Sequence, residues 1–182
     1  MSTLKVSTIA PLGTDATKTI TIGSAGDTAA GVFTNTPAFE AYLSSDTSLS
    51  ENVTTVFPCD TEVYDTDNCY DTSTYAFTPN VAGKYYIYGG AYLQAGGDAY
   101  KFSFFEIHLN DSLLRRSRFN PQDTSVNTFV HLVSGIVDMN GTTDSVNLKV
   151  RFSSSVSRTL AGDSAEGTNR GAYFGGYKII GA

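Results

Sequence analysis

From residue 37 onward the chain alternates apolar and polar positions in short runs separated by turn residues, and almost none of it has helical period. The runs Phe39 to Leu43, Val53 to Phe57, Tyr75 to Phe77, Lys84 to Leu93, Phe102 to Leu109, Leu113 to Phe119, Asn127 to Met139, Val146 to Phe152 and Ala172 to Ile180 are the predicted strands. Val146, Leu148, Val150 and Phe152 share one face and Asn147, Lys149 and Arg151 the other, the pattern of a half-buried antiparallel strand. Two irregularities stand out. The Phe104-Phe105 pair breaks the alternation of its run, which suggests a bulge there, and Arg115, Arg116 and Arg118 interrupt the next run. Asn140-Gly141, after the long apolar stretch to Met139, is a strong hairpin signal. Ser153 to Gly171 is a predicted long loop. Nine or ten strands in this span imply an all-β antiparallel sandwich, a jelly roll in particular.

The first 36 residues differ. They are rich in Thr, Ser, Ala and Gly, with Phe33 as their one aromatic, and hold two short β-prone runs, Leu4 to Ile9 and Lys18 to Ile22. Such a segment cannot bury enough apolar surface to fold alone. It is expected to be an extended arm over residues 1–36, leaving residues 37–182 as the folded head.

Composition narrows the function. Of 182 residues 41% are hydrophobic, 12% aromatic and only 16% charged, enough apolar material for a sizeable core. The net charge of -6 offers no general basic field for nucleic acid or anionic lipid. No apolar run reaches the roughly 18–20 residues of a membrane span, and no apolar h-region follows Lys5, so neither membrane insertion nor classical secretion is expected. Residues 1–100 hold three basic and eleven acidic side chains, whereas residues 101–182 hold nine and seven. That asymmetry fits either a mixed solvated surface or acidic and basic faces meeting between subunits.

Candidate chemistry is sparse. Asp60, Glu62, Asp65, Asp67 and Asp71 form the densest acidic stretch, with no basic residue among them. Oxygen ligands at close spacing suit Ca²⁺, although the spacing of an EF-hand is missing, and the simpler reading is a solvated loop. Cys59 and Cys69 flank that stretch. A bridge between them would contribute roughly 2–3 kcal/mol but needs an oxidising setting, so both the disulfide and free thiols stay open. His108 and His131 each fall inside a predicted strand, and no G-x-S-x-G, Walker loop or H-E-x-x-H is present, so no catalytic residue and no enzyme activity are expected.

PAFEAYLSS at 37–45, the stretch TVFPCDTEVYDTDNCYDTSTYAFTPNVAGKYYIYGGAYL at 55–93 and the closing YFGGYKII at 173–180 resemble the complement C1q globular-head family, which shares its jelly roll with tumour necrosis factor. Tyr70-Asp71, an aromatic before Thr78-Pro79, and Ala82-Gly83 before an aromatic strand carry the likeness. It implies a homotrimer, with Tyr86, Tyr88, Tyr173, Phe174 and Tyr177 at the trimer axis, and with Tyr85, Tyr86, Tyr88, Tyr92, Phe102, Phe104 and Phe105 shared between sandwich and axis. Some relatives bind calcium near the trimer apex, which keeps calcium as the one cofactor to consider.

STLKVSTI and KTITIGSAGDT near the N-terminus are similar to the opening segments of virion fibre and decoration proteins of tailed phages, especially those infecting marine cyanobacteria. Together the two resemblances imply a trimeric capsid decoration or head-fibre protein, assembled in the host cytoplasm and displayed on the virion surface. Its arm would bind other virion proteins of capsid or tail. The alternative is a tail-fibre module recognising host surface glycan through loops such as 98–100, 120–124 and 153–169.

Overall fold

A computed structural model describes residues 36–94, 101–121, 126, 128–153, 158–163 and 171–180. The expected arm, apart from Thr36, lies outside these residues, as does most of each loop proposed for recognition. The strands are β1 (Ala38–Tyr42), β2 (Thr47–Leu49), β3 (Thr55–Val56), β4 (Thr61–Asp65), β5 (Tyr70–Asp71), β6 (Ala76–Phe77), β7 (Gly83–Gln94), β8 (Phe102–Leu109), β9 (Ser112–Phe119), β10 (Thr128–Met139), β11 (Val146–Ser153), β12 (Arg158–Leu160) and β13 (Tyr173–Lys178). They form two antiparallel sheets. The larger runs β2-β12-β7-β13-β1-β4 with β10 on β7, and the smaller runs β5-β6-β11-β8-β9 with β3 on β11.

β7 is the centre of the larger sheet because both of its faces are non-polar. Tyr85, Ile87, Ala91 and Leu93 point into the sandwich and are fully buried, while Tyr86, Tyr88 and Tyr92 point away from it. β10 pairs with β7 over its whole length and β13 over residues 85–90. The core between the sheets is strongly aromatic. Phe39 stacks on Tyr70 and Phe77 at 4.7 and 4.4 Å and meets Phe174 edge-on at 4.8 Å.

Three local expectations are revised. Asn140-Gly141 does not close a hairpin, because β10 pairs with β7 in one sheet and β11 with β8 in the other, so the turn carries the chain across the sandwich. Asn140 Oδ1 accepts from the backbone N–H groups of Thr142, Thr143 and Asp144 at 2.9, 2.9 and 3.1 Å, and Gly141 takes φ 72°, so the dipeptide still reverses the chain. Reversal is local, whereas the choice of sheet depends on which edge is free. The tight hairpin is instead β8–β9, where Asn110 and Asp111 both take positive φ, 50° and 63°, as a type I′ turn requires.

No bulge sits at Phe104-Phe105. β8 pairs with β11 without interruption, Phe105 is buried in the core, and Phe104 faces outward. The register shift falls one strand later: Ile107 pairs with Arg115 and His108 with Leu113, leaving Leu114 as the extra residue. Four short strands, β2, β4, β5 and β12, lie where loops were expected; with two to five residues each, they are too brief to show a period.

Candidate interaction surface

The outward face of the larger sheet is built in cross-strand rows. Leu132, Gly90, Tyr173 and Tyr42 form one, Ser134, Tyr88, Gly175, Glu40 and Tyr64 the next, and Ile136, Tyr86, Tyr177 and Ala38 a third. Glycines alternate with tyrosines for a steric reason. A Cβ on Gly175 would stand 2.4 Å from Cζ of Tyr88, so the glycine lets the Tyr88 ring lie flat across β13. The rings approach one another at 5.6 Å for Tyr86 and Tyr177 and 6.3 Å for Tyr88 and Tyr173. The Tyr88 hydroxyl donates to Glu40 Oε2 at 2.9 Å; burial first, and that carboxylate second, push its pKa far above the ordinary tyrosine value.

Beside the tyrosines the aliphatic residues of β10 stand in solvent. Leu132, Ile136 and Val130 are 58%, 55% and 53% exposed. A groove of about 400 Å³ runs between Leu132 and the tyrosines, lined by Tyr86, Tyr88, Leu132, Ser134 and Tyr173. A contiguous apolar face of this kind marks an association surface. The β10 residues were not singled out in the sequence. Their signal was present, since β10 is apolar at both parities, which one buried face alone does not require.

Of the five residues expected at a trimer axis, Tyr86, Tyr88, Tyr173 and Tyr177 share this face. Phe174 does not, because strand alternation turns it into the sandwich, fully buried against Phe39 and Tyr70.

The acidic stretch is not gathered into a site. Asp60 accepts from the Ser44 N–H and hydroxyl, both at 2.8 Å, Asp65 from the N–H groups of Asp67 and Tyr70 at 3.2 and 2.7 Å, and Asp71 from the Ser73 N–H and hydroxyl, both at 2.7 Å. Those Ser73 bonds hold the Asp71 pKa below the usual carboxylate value. Glu62 lies on β4, exposed. Among the described residues no three acidic, His or Cys side chains converge as metal ligands. Asp65 and Asp71 serve as local turn acceptors, the commoner use of Asp in loops, Asp60 ties its loop to Ser44, and one buried oxygen of the Asp67 carboxylate has no hydrogen-bond partner.

Cys59 and Cys69 are free and buried. Burial is the main cause raising both thiol pKa values, and Asp60 adds to it at Cys59. Native protein is therefore expected to react with an aromatic disulfide reagent at pH 8 more slowly than a free thiol, since the thiolate is the nucleophile and both groups are buried. In denaturant without reductant both thiols should titrate; a zero count there would mean a bridge.

His131 lies inside the sandwich, its Nδ1 3.0 Å from Ser103 Oγ and its Nε2 2.9 Å from Ser117 Oγ. Burial lowers its pKa from 6.5 to about 4. Because the folded value is depressed, the unfolded chain binds the proton first, and stability present above pH 6.5 is lost as pH falls toward 4. The loss approaches about 3 kcal/mol once both states are protonated, with some 2 kcal/mol of it gone at pH 5. Urea titrations of the protein and His131→Gln over pH 8 to 4 check this: the variant should show the shallower acid loss, and equal slopes would refute the assignment. His131 thus bridges the Ser103 and Ser117 hydroxyls inside the sandwich.

No family model matches the sequence, and no curated protein does. Solved structures do. The globular domain of zebrafish complement 1qA aligns with a TM-score of 0.54 at 13% identity, covering 79% of this chain and 98% of that one. The fold is a C1q/TNF-type jelly roll. Murine APRIL aligns at TM-score 0.56 and 12% identity over 79% of this chain and 99% of its own, and Eiger TNF from S. frugiperda at 0.54 and 12% over 81% and 94%. The jelly roll expected from strand count is thus present, at identities where only the fold is shared.

Proposed function

We propose that this chain is a structural protein of a tailed-phage virion, in which residues 37–182 form a homotrimeric head and residues 1–36 fasten it to the particle as a capsid decoration or head fibre. The observation that carries the assembly is the aromatic and aliphatic face of the larger sheet, where Leu132 and Ile136 are more than half exposed in a single chain. A monomer would leave that face in water, whereas three copies around an axis bury it. The phage setting is supported by the N-terminal segments STLKVSTI and KTITIGSAGDT.

Such a protein works by adhesion or reinforcement. Three copies of a modest contact gain avidity without a strong single site. Light scattering of the full chain at micromolar concentration is expected to give three times the 19.4 kDa chain mass, and a monomer would overturn the trimer. Immunogold labelling of virions tests the location: label on capsids supports decoration, and label confined to the tail tip refutes it.

A further inference from the structure

The opposite side of the sandwich carries a different surface. On β8 the outward residues are Phe102, Phe104, Glu106 and His108, and cross-strand register sets them in rows with cations. Arg151, Phe104 and Arg118 form one row, and Lys149, Glu106 and Arg116 the next. The guanidinium carbons of Arg116 and Arg118 stand 4.5 and 5.7 Å from the Phe104 ring centre, and that of Arg151 stands 5.9 Å from Phe102. The two rings pack together at 4.9 Å. They are a pedestal that holds the guanidinium groups in place.

Glu106 anchors the array from below. It is 3% exposed, and its two carboxylate oxygens accept from Arg116 Nε at 2.6 Å and His108 Nε2 at 2.7 Å. Lys149 pairs with Asp111 at 3.0 Å. Among the described residues no carboxylate pairs with Arg118 or Arg151, and the buried Nε of Arg151 has no hydrogen-bond partner. In these rows four cations face the two carboxylates of Glu106 and Asp111, with Glu51 reaching the Ser153 hydroxyl at 3.4 Å at the end of β11, on a chain whose net charge is -6. Screening over about 8–10 Å confines the distant acidic field, so the patch acts locally as positive.

We propose that this face binds a linear anionic polysaccharide, with carboxylate or sulfate groups along its length entering the guanidinium forks. The layout argues for a polymer. Arg118 and Arg151 lie on the two strands flanking β8, about 10 Å apart at the backbone, and the Lys149–Arg116 row follows about 7 Å along. A single small anion would engage one fork, whereas a chain engages several. A protein partner would need an apolar centre and a single-stranded nucleic acid would need free rings, but here the guanidinium groups cover both phenylalanines. The patch lies within one chain and on the face opposite the association surface, so the inference goes beyond the assembly reading; trimerisation would triple the patch.

The test measures binding of the full chain to polygalacturonate, dextran sulfate and neutral dextran. At about 50 mM salt at least one anionic polymer should bind and neutral dextran should not, and affinity should fall at least about tenfold by 200 mM, as release of several counterions requires. The double variant Arg118→Glu, Arg151→Glu should bind at least about tenfold more weakly at unchanged mass and melting temperature. Should that variant misfold, the single exposed change Arg118→Gln carries the test, with a severalfold loss expected. The proposal is overturned if neither anionic polymer binds, if the folded variant binds like the parent, or if polyglutamate or oligothymidylate binds more tightly. Light scattering on the same samples separates the two readings. A monomer that binds leaves this inference standing and removes only the trimer; a trimer that does not bind does the reverse.

Discussion

Leu132→Asp, alone or with Ile136→Asp, is expected to convert the assembled head to monomers. Each side chain is more than half exposed in a single chain, so the substitution removes little from the fold of the protomer. In the trimer the same positions would be buried. Losing a buried leucine forfeits about 1.5–3 kcal/mol per site, and a carboxylate placed there must also be desolvated without a partner. With three copies in one assembly, the association constant should fall by more than about 100-fold. Sedimentation velocity at micromolar concentration reads the mass, and circular dichroism confirms that the monomer is folded. Arg118→Ala, on the opposite face, is the control and should leave the mass unchanged. A variant that still sediments as a trimer would show that another surface holds the subunits together.

Phe39→Ala should cost about 3–5 kcal/mol, the range for deleting a fully buried aromatic ring. Phe39 sits where the sheets meet: Phe174 comes from the larger sheet, Phe77 from the smaller, and Tyr70 from the strand beside it, all within 4.8 Å of its centre. The cavity cannot close easily, because Phe77 and Phe174 are fixed by their own sheets and the Tyr70 hydroxyl is bound to the Cys59 carbonyl at 2.7 Å. Against a total stability of about 5–15 kcal/mol this is a large fraction. Urea unfolding at a fixed chain concentration measures it, and Phe39→Leu should recover more than half. A loss below about 1 kcal/mol would mean that the four-ring cluster is not a keystone.

Both expectations rest on which way a strand residue points, and there the sequence was informative only in part. Val146 to Phe152 alternates strictly, so its inner face was legible, and the structure buries Val146, Leu148, Val150 and Phe152. In YFGGYK and KYYIYGGAYL both parities are apolar, and a one-residue change of register exchanges the faces without any visible penalty. The pattern therefore does not separate Phe174 from Tyr173, and only the pairing of β13 with β7 turns one inward and the other outward. The same ambiguity hid Phe102 and Phe104, which were expected in the core or at an axis and instead support arginines on the outside of the smaller sheet. The arginine run had been visible as an interruption. Its meaning depended on β9 folding back on β8, through an Asn110-Asp111 turn whose two positive φ angles the residue types allow but do not demand.

Sequence alone was enough for the all-β class, the sandwich and the main strands, because period-two patterning and turn residues act over a few positions and need no distant partner. Tertiary structure decided the rest. It sent Asn140-Gly141 across the sandwich, left Cys59 and Cys69 as separate thiols and spread the acidic side chains of 60–71 over β4, β5 and the loops beside them. It also gathered Arg116, Arg118, Lys149 and Arg151 from two strands onto one face. The crossing turn and the gathered cations are pairings between residues far apart in the chain, selected by burying both sheets' apolar faces at once, and a local pattern holds no record of that choice.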